Sequence, residues 1–321
     1  EPRAPRLSEE QIRLNLESFD IVWETIRDKH FDPELNGVDW PAVREELRPR
    51  MAEAETMDEA RATLQEMIGT LKQSHFGIIS RSVYDAIDGE NDQAGGDGST
   101  GLHIRAVDGQ ALVVLVEPGS PRTITFLDGQ GNQVELTLTL VRPRGTTARF
   151  GNLPPMSVYF ESRVVDQDIP YVHWTAFFDP ASLIPKIGEA ITDRIDAPGL
   201  ILDLRGNPGG IGAMAMGICG WLLDESGLKL GTMSTRDTTL NFVVFPRPQT
   251  FRGPVAVLVD GCSASTSEIF AGGLQDLGRA RVFGTRTAGA ALPSIVIKLP
   301  NGDSFQYAFA NYVSASGAVL E

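Results

Sequence analysis

At 321 residues, 42% of them hydrophobic, the chain is long enough for two or three domains and a sizeable core. A formal charge of −14 with no Lys/Arg cluster excludes nucleic acid as a partner, because nothing would displace phosphate counterions. No run of about 18 apolar residues occurs, which excludes a transmembrane helix, and the opening EPRAPRLSEEQ lacks the apolar centre of a signal peptide.

From Glu9 to about Lys72 the pattern is helical: Leu14, Leu16, Phe19, Ile21, Val22, Trp23 and Ile26 recur at three- and four-residue steps. DWPAVREEL starts a helix with Asp39 and Pro41, and TMDEARATLQEMIGTL repeats the theme, so residues 1–79 read as an N-terminal helical module. The Gly/Asp/Asn/Ser-rich IDGENDQAGGDGSTG then leads into LHIRAV, ALVVLV and TITFLDGQGNQVELTLTLV, with a turn at Asp128-Gly129. These predict a short β module over 80–146. Over 147–321 strands and helices alternate, the mark of an α/β core with functional loops at strand ends. IPYVHWTAF, GLILDLRG, PVAVLVD and ARVFGT read as strands, and ASLIPKIGEAITDRI, GAMAMGICGWLLD and SEIFAGGLQDLG as helices. SIVIKLPNGDSFQYAFANYV closes the chain as a hairpin about Asn301-Gly302.

The loop DGCSASTSEIFAGG holds Ser263, Ser265 and Ser267 at a strand-to-helix turn. The first amides of a helix lack internal partners and lie at the positive end of its dipole, which suits an oxyanion. Equally, Ser265 followed by Glu268 has the spacing of a capping box, a purely structural device. GLILDLRGNPGG has the same strand-loop-helix form, and its glycines let backbone amides approach a ligand; without a Walker lysine, phosphates are not the ligand. A serine needs a base, and four histidines are available. His75, in LKQSHFG, follows a helix end and can project into a cleft, whereas His30, His103 and His173 sit at a helix end or in strands. Cys219 and Cys262 lie in no metal-ligand spacing and read as buried thiols.

Together GLILDLRGNPGG, VLVDGCSASTSEIFAGGLQDLGRARVFGTRTAGAALPS and the helical N-terminus ending LKQSHFG resemble the C-terminal processing, or tail-specific, peptidases and their tricorn-protease relatives. The resemblance implies a helical module, a PDZ-like β module and an α/β core of the ClpP/crotonase type. It makes Ser265 the nucleophile of a serine endopeptidase that forms an acyl-enzyme on unfolded or C-terminally exposed polypeptides. The lysine-dependent branch carries its base 25 positions beyond the nucleophile, where this chain has Ala290. The tricorn-like branch uses a Ser-His pair and a downstream glutamate, which match Ser74, His75 and Glu321. Thr266 and Gly209 or Gly210 would form the oxyanion hole, with no metal or organic cofactor. The resemblance also implies an exported, periplasmic location and is compatible with a homo-oligomer.

The pattern departs from the family at two places. The central PDZ strands and groove helix are missing between Pro121 and Arg122, and the sequence stops at Glu321, before a G-x-G-V-x-P-D-like tail. The alternative reading is a non-catalytic member of the fold that binds a peptide or a small apolar ligand. A PDZ scaffold would require a groove this sequence lacks.

Overall fold

The computed structural model describes residues 6–89, 103–107, 110–115, 121–127, 133–139 and 144–321. Helices α1 (Glu9–Lys29), α2 (Trp40–Glu53) and α3 (Met57–Gly69) form the helical module. Each starts where the sequence supplies a cap: the side chains of Ser8, Asp39 and Thr56 accept from the amides of Gln11, Ala42 and Glu59. Phe19, Val22 and Ile26 of α1 pack with Leu47, Met51, Leu64 and Met67. Trp23 and Trp40 lock α1 to the start of α2, each indole N–H donating to the other's carbonyl at 2.9 and 3.0 Å.

In chain order there follow β1 (Gly77–Ile79) and α4 (Arg81–Gly89), a helix the sequence patterns do not assign. Next come β2 (His103–Val107), β3 (Gln110–Leu115), β4 (Pro121–Leu127) and β5 (Gln133–Thr139), which pair as two antiparallel hairpins. β4 runs through Pro121 and Arg122 without interruption; the turn expected at Asp128-Gly129 lies outside the described residues. The short pair β6 (Thr146–Ala148) and β7 (Met156–Val158) leads into the core.

The core alternates as expected: β8 (Phe160–Val165), β9 (Ile169–Trp174), α5 (Pro180–Thr192), β10 (Leu200–Asp203), α6 (Gly212–Cys219), β11 (Lys229–Ser234), β12 (Thr239–Val243), β13 (Val255–Val259), α7 (Thr266–Asp276), β14 (Arg281–Gly284), β15 (Ser294–Lys298), β16 (Ser304–Ala308) and β17 (Asn311–Ser314). α6 ends at Cys219, earlier than the apolar run GAMAMGICGWLLD suggests. The main sheet has the order β14-β13-β10-β9-β8, parallel except for β8. Its hydrophobic core gathers Val172, Leu202, Val257 and Ile218 around an edge-to-face cluster of Trp174, Phe177 and Phe270. The carboxyl ends of β10 and β13 open into the two loops singled out above, as ligand-binding loops do in α/β sheets.

The C-terminal hairpin forms, with strands ending at Lys298 and resuming at Ser304, so the connection is longer than Asn301-Gly302. It packs on the helical module: β1 pairs antiparallel with β16, giving a sheet β1-β16-β15. Leu299, Phe305 and Tyr307 complete the core of the helices. Asp303, fully buried, accepts from Arg61 Nε and Nη2 at 2.9 and 3.0 Å and from the Arg81 amide at 2.9 Å. A third sheet, β12-β11-β17, sends Arg236 from its β11–β12 turn to the end of α1, where it donates to the carbonyls of Arg27 and His30.

Candidate active site

Ser265 stands at the entry to α7 with φ 54° and ψ −117°, a conformation rare for any residue but glycine. Such backbone costs roughly 1–3 kcal/mol and persists only where the surroundings over-determine it. Here they do. The Ser265 N–H donates to Ala290 O at 2.8 Å and to Glu268 Oε2 at 3.0 Å, while its carbonyl accepts from the Glu268 and Ile269 amides at 2.9 and 3.0 Å. On either side the two other serines act as stitches. Ser263 Oγ donates to Leu204 O at 2.8 Å and Ser267 Oγ to Asn207 O at 2.9 Å, joining this loop to the one after β10.

Glu268 is buried and accepts from Ser265 N, Thr287 Oγ1, Gly289 N and Ala290 N at 2.8–3.0 Å. Burial raises its carboxyl pKa above the ordinary range while those donors pull it back. The return half of the capping box is thus present, and the same carboxylate fastens the 287–290 loop to the helix start. Ala290 sits within this loop with only a methyl group to offer.

The glycine loop lies directly on the serine. Gly209 has φ 95°, and a Cβ there would fall 2.6 Å from Ala264 O, 2.7 Å from Thr266 N and 2.8 Å from the Ser265 Cβ. A Cβ on Gly210, φ 142°, would meet Phe177 O at 2.3 Å. The two glycine amides differ: Gly209 N–H is taken by Asn207 Oδ1 at 2.9 Å. The amides of Gly210 and Thr266 have no acceptor among the described residues. Thr266 Oγ1 bonds Gly210 O at 2.8 Å and so ties these two residues together.

Ser74, His75 and Glu321 meet, although the second and third lie 246 positions apart in sequence. Ser74 Oγ lies 2.8 Å from His75 Nδ1 and donates to Glu321 Oε2 at 2.9 Å; Ser74 N–H donates to Glu321 Oε1 at 2.7 Å. A hydroxyl has one proton, so Ser74, having given it to Glu321, must accept the Nδ1–H of His75. The lone pair of a neutral His75 is then on Nε2. Glu321 Oε2 also accepts from Ala291 N–H at 3.3 Å. That bond places the set one residue from Ala290, whose carbonyl holds Ser265. His75 sits in left-handed backbone, φ 59°, immediately before the β1–β16 pairing.

His173 and His30 take no part in this cluster. His173 Nδ1 lies 3.0 Å from Asp203 O within the main sheet, and His30 is buried in the helical module. The side chain of His103 is outside the described residues. Cys219 is buried, Cys262 only half-buried, and both are free thiols. Cys262 is more exposed than its apolar approach strand suggests, because it lies past the end of β13 in the turn. No His/Cys/Asp/Glu cluster fit for a metal occurs among the described residues.

A parallel sheet that delivers a strained serine to a helix start, beside amides without acceptors, has the architecture of a serine-type hydrolase. Residues 168–321 match peptidase family S41, and residues 15–69 match the tricorn protease C1 domain, so the C-terminal half carries an S41 serine peptidase domain. Its relatives include carboxyl-terminal-processing peptidase 3, chloroplastic, of Arabidopsis thaliana, 25% identical over 92% of this chain and 64% of that one. The carboxyl-terminal-processing protease of Synechocystis is 25% identical over 97% of this chain and 78% of its own. This chain therefore spans less than two thirds of the plant relative's length. Among solved structures, the photosystem II D1 C-terminal processing protease shares the fold, with TM-score 0.66, 19% identity, and coverage of 98% of this chain and 91% of that one.

Proposed function

We propose that this S41 peptidase cleaves unfolded or C-terminally exposed polypeptides through an acyl-enzyme on Ser265, with His75 rather than a lysine as general base. His75 Nε2 takes the proton of Ser265 as Oγ attacks the scissile carbonyl, then returns it to the leaving amine. Ser74 and Glu321 hold the ring in the Nδ1–H tautomer and stabilise the imidazolium that forms. Water, deprotonated by the same nitrogen, hydrolyses the ester. The amides of Thr266 and Gly210 receive the oxyanion, each worth about 3–4 kcal/mol in comparable sites. Gly209 contributes by letting the glycine loop lie against Ser265, its own amide being engaged by Asn207.

The observation that carries the reading is the Ser74–His75–Glu321 hydrogen-bonded set, tied through Ala291 to the Ala290 backbone that holds Ser265. The strained Ser265 backbone favours catalysis over mere ligand binding. On the family likeness alone we propose an exported, periplasmic location and read β2–β5 as an abridged PDZ unit.

Fluorophosphonate labelling tests the assignment. The parent is expected to label and to cleave a denatured protein; Ser265→Ala should do neither. His75→Ala should lose at least about a thousandfold in kcat. Labelling that survives Ser265→Ala removes the nucleophile, and peptidase activity equal to the parent's after His75→Ala removes the base.

A further inference from the structure

His30 is a buried imidazole that the mechanism leaves unused, and its contacts single it out. It caps the end of α1, is fully buried, and reaches across to the segment that carries Ser74 and His75. Its Nε2 lies 2.7 Å from Gln73 Oε1; an amide oxygen only accepts, so Nε2 carries a proton and donates. Its ring stacks on Phe76 with centroids 5.6 Å apart and on Phe31 at 4.5 Å. One imidazole therefore grips both residues that flank the Ser74-His75 pair, Gln73 by a hydrogen bond and Phe76 by its face.

The gripped segment is one that needs holding. Lys72 and His75 both sit in left-handed backbone, φ 51° and 59°, which L-residues adopt only at a cost. Glu321 restrains Ser74 from one side, and β16 restrains the chain from Gly77 onward. On the helical side His30 restrains it, its own carbonyl held by Arg236 from the β11–β12 turn. We infer that His30 is a positioning residue: it clamps the Gln73–Phe76 turn so that the His75 ring stays aimed at the nucleophile. The inference rests on the reading of His75 as the base.

Three variants separate the clamp from ordinary core packing. His30→Phe keeps a stacked ring and removes the donor. Gln73→Ala removes the acceptor on a partly exposed side chain and leaves the core intact. His30→Gln restores a donor without the ring. In steady-state cleavage of a fluorogenic peptide, His30→Phe and Gln73→Ala should each lower kcat about tenfold, with KM within about twofold of the parent. The double variant should be no slower than the slower single one, because both cut the same bond. His30→Gln should recover most of kcat.

Single variants with kcat within twofold of the parent, or losses that multiply in the double variant, overturn the clamp. Should His30→Phe fail to fold, Gln73→Ala decides alone. His75→Ala is assayed alongside. If it is inactive while Gln73→Ala matches the parent, only the clamp is wrong; if it retains the parent's activity, the base assignment fails first.

Discussion

Two adjacent glycines with near-identical sequence credentials do different work, and a side chain decides which. Asn207 Oδ1 occupies the Gly209 amide, which leaves the Gly210 amide beside Thr266 for the proposed oxyanion hole. Sequence motifs bring Ser265, Ser74, His75 and Glu321 to notice because those residue types carry the chemistry. They cannot apportion backbone amides, since that depends on where Asn207 folds back. Gly209→Ala should fold yet lose at least about a hundredfold in kcat, as its Cβ would press on Thr266 N and the Ser265 Cβ; steady-state kinetics on the purified variant check this. Glu268→Gln should be costlier to the fold. It replaces one carboxylate oxygen by an NH2 that must face at least one backbone N–H, so urea unfolding should show a loss of about 2–3 kcal/mol along with activity.

At the scale of elements, the alternation of β9, α5, β10, α6, β13 and α7 is legible because each carries its own period and its own breaking residues. The three residues of β1 carry no such signal. Their partner strand is specified by a hydrophobic face that the helices and β16 complete jointly, through Phe305 and Tyr307. The ion pair beneath that junction should be strongly felt: Arg61→Ala leaves the buried Asp303 carboxylate without its guanidinium, and a loss on the order of 3 kcal/mol is expected in chemical denaturation. The α1–α2 contact offers a pH test. The guanidinium of Arg48, then that of Arg44, holds the Asp20 carboxyl below the usual carboxylate range. A depressed pKa contributes stability at neutral pH that fades as pH falls through the folded value. Parent and Asp20→Asn should therefore differ by up to about 1 kcal/mol in urea at pH 7. The difference should shrink as pH falls below about 4.

For the molecule as a whole, the described residues build two hydrophobic cores, and the smaller one is made from both ends of the described sequence. Domain boundaries drawn along the sequence place the C-terminal hairpin with the peptidase core, because composition cannot reveal that it is shared with the helices. A version lacking residues 6–72 should retain the main sheet but expose Phe305 and Tyr307; association detected by light scattering, with loss of peptidase activity, is the expected result.

The pairing of Gly77 with Gln306 also sets an order in time. A ribosome makes the Ser74-His75 segment some 230 residues before the strand that seats it, so the Ser265 loop can fold before the proposed base has a fixed address. A chain interrupted before β16 lacks the strand that seats the Ser74-His75 segment, and is expected to show no peptidase activity.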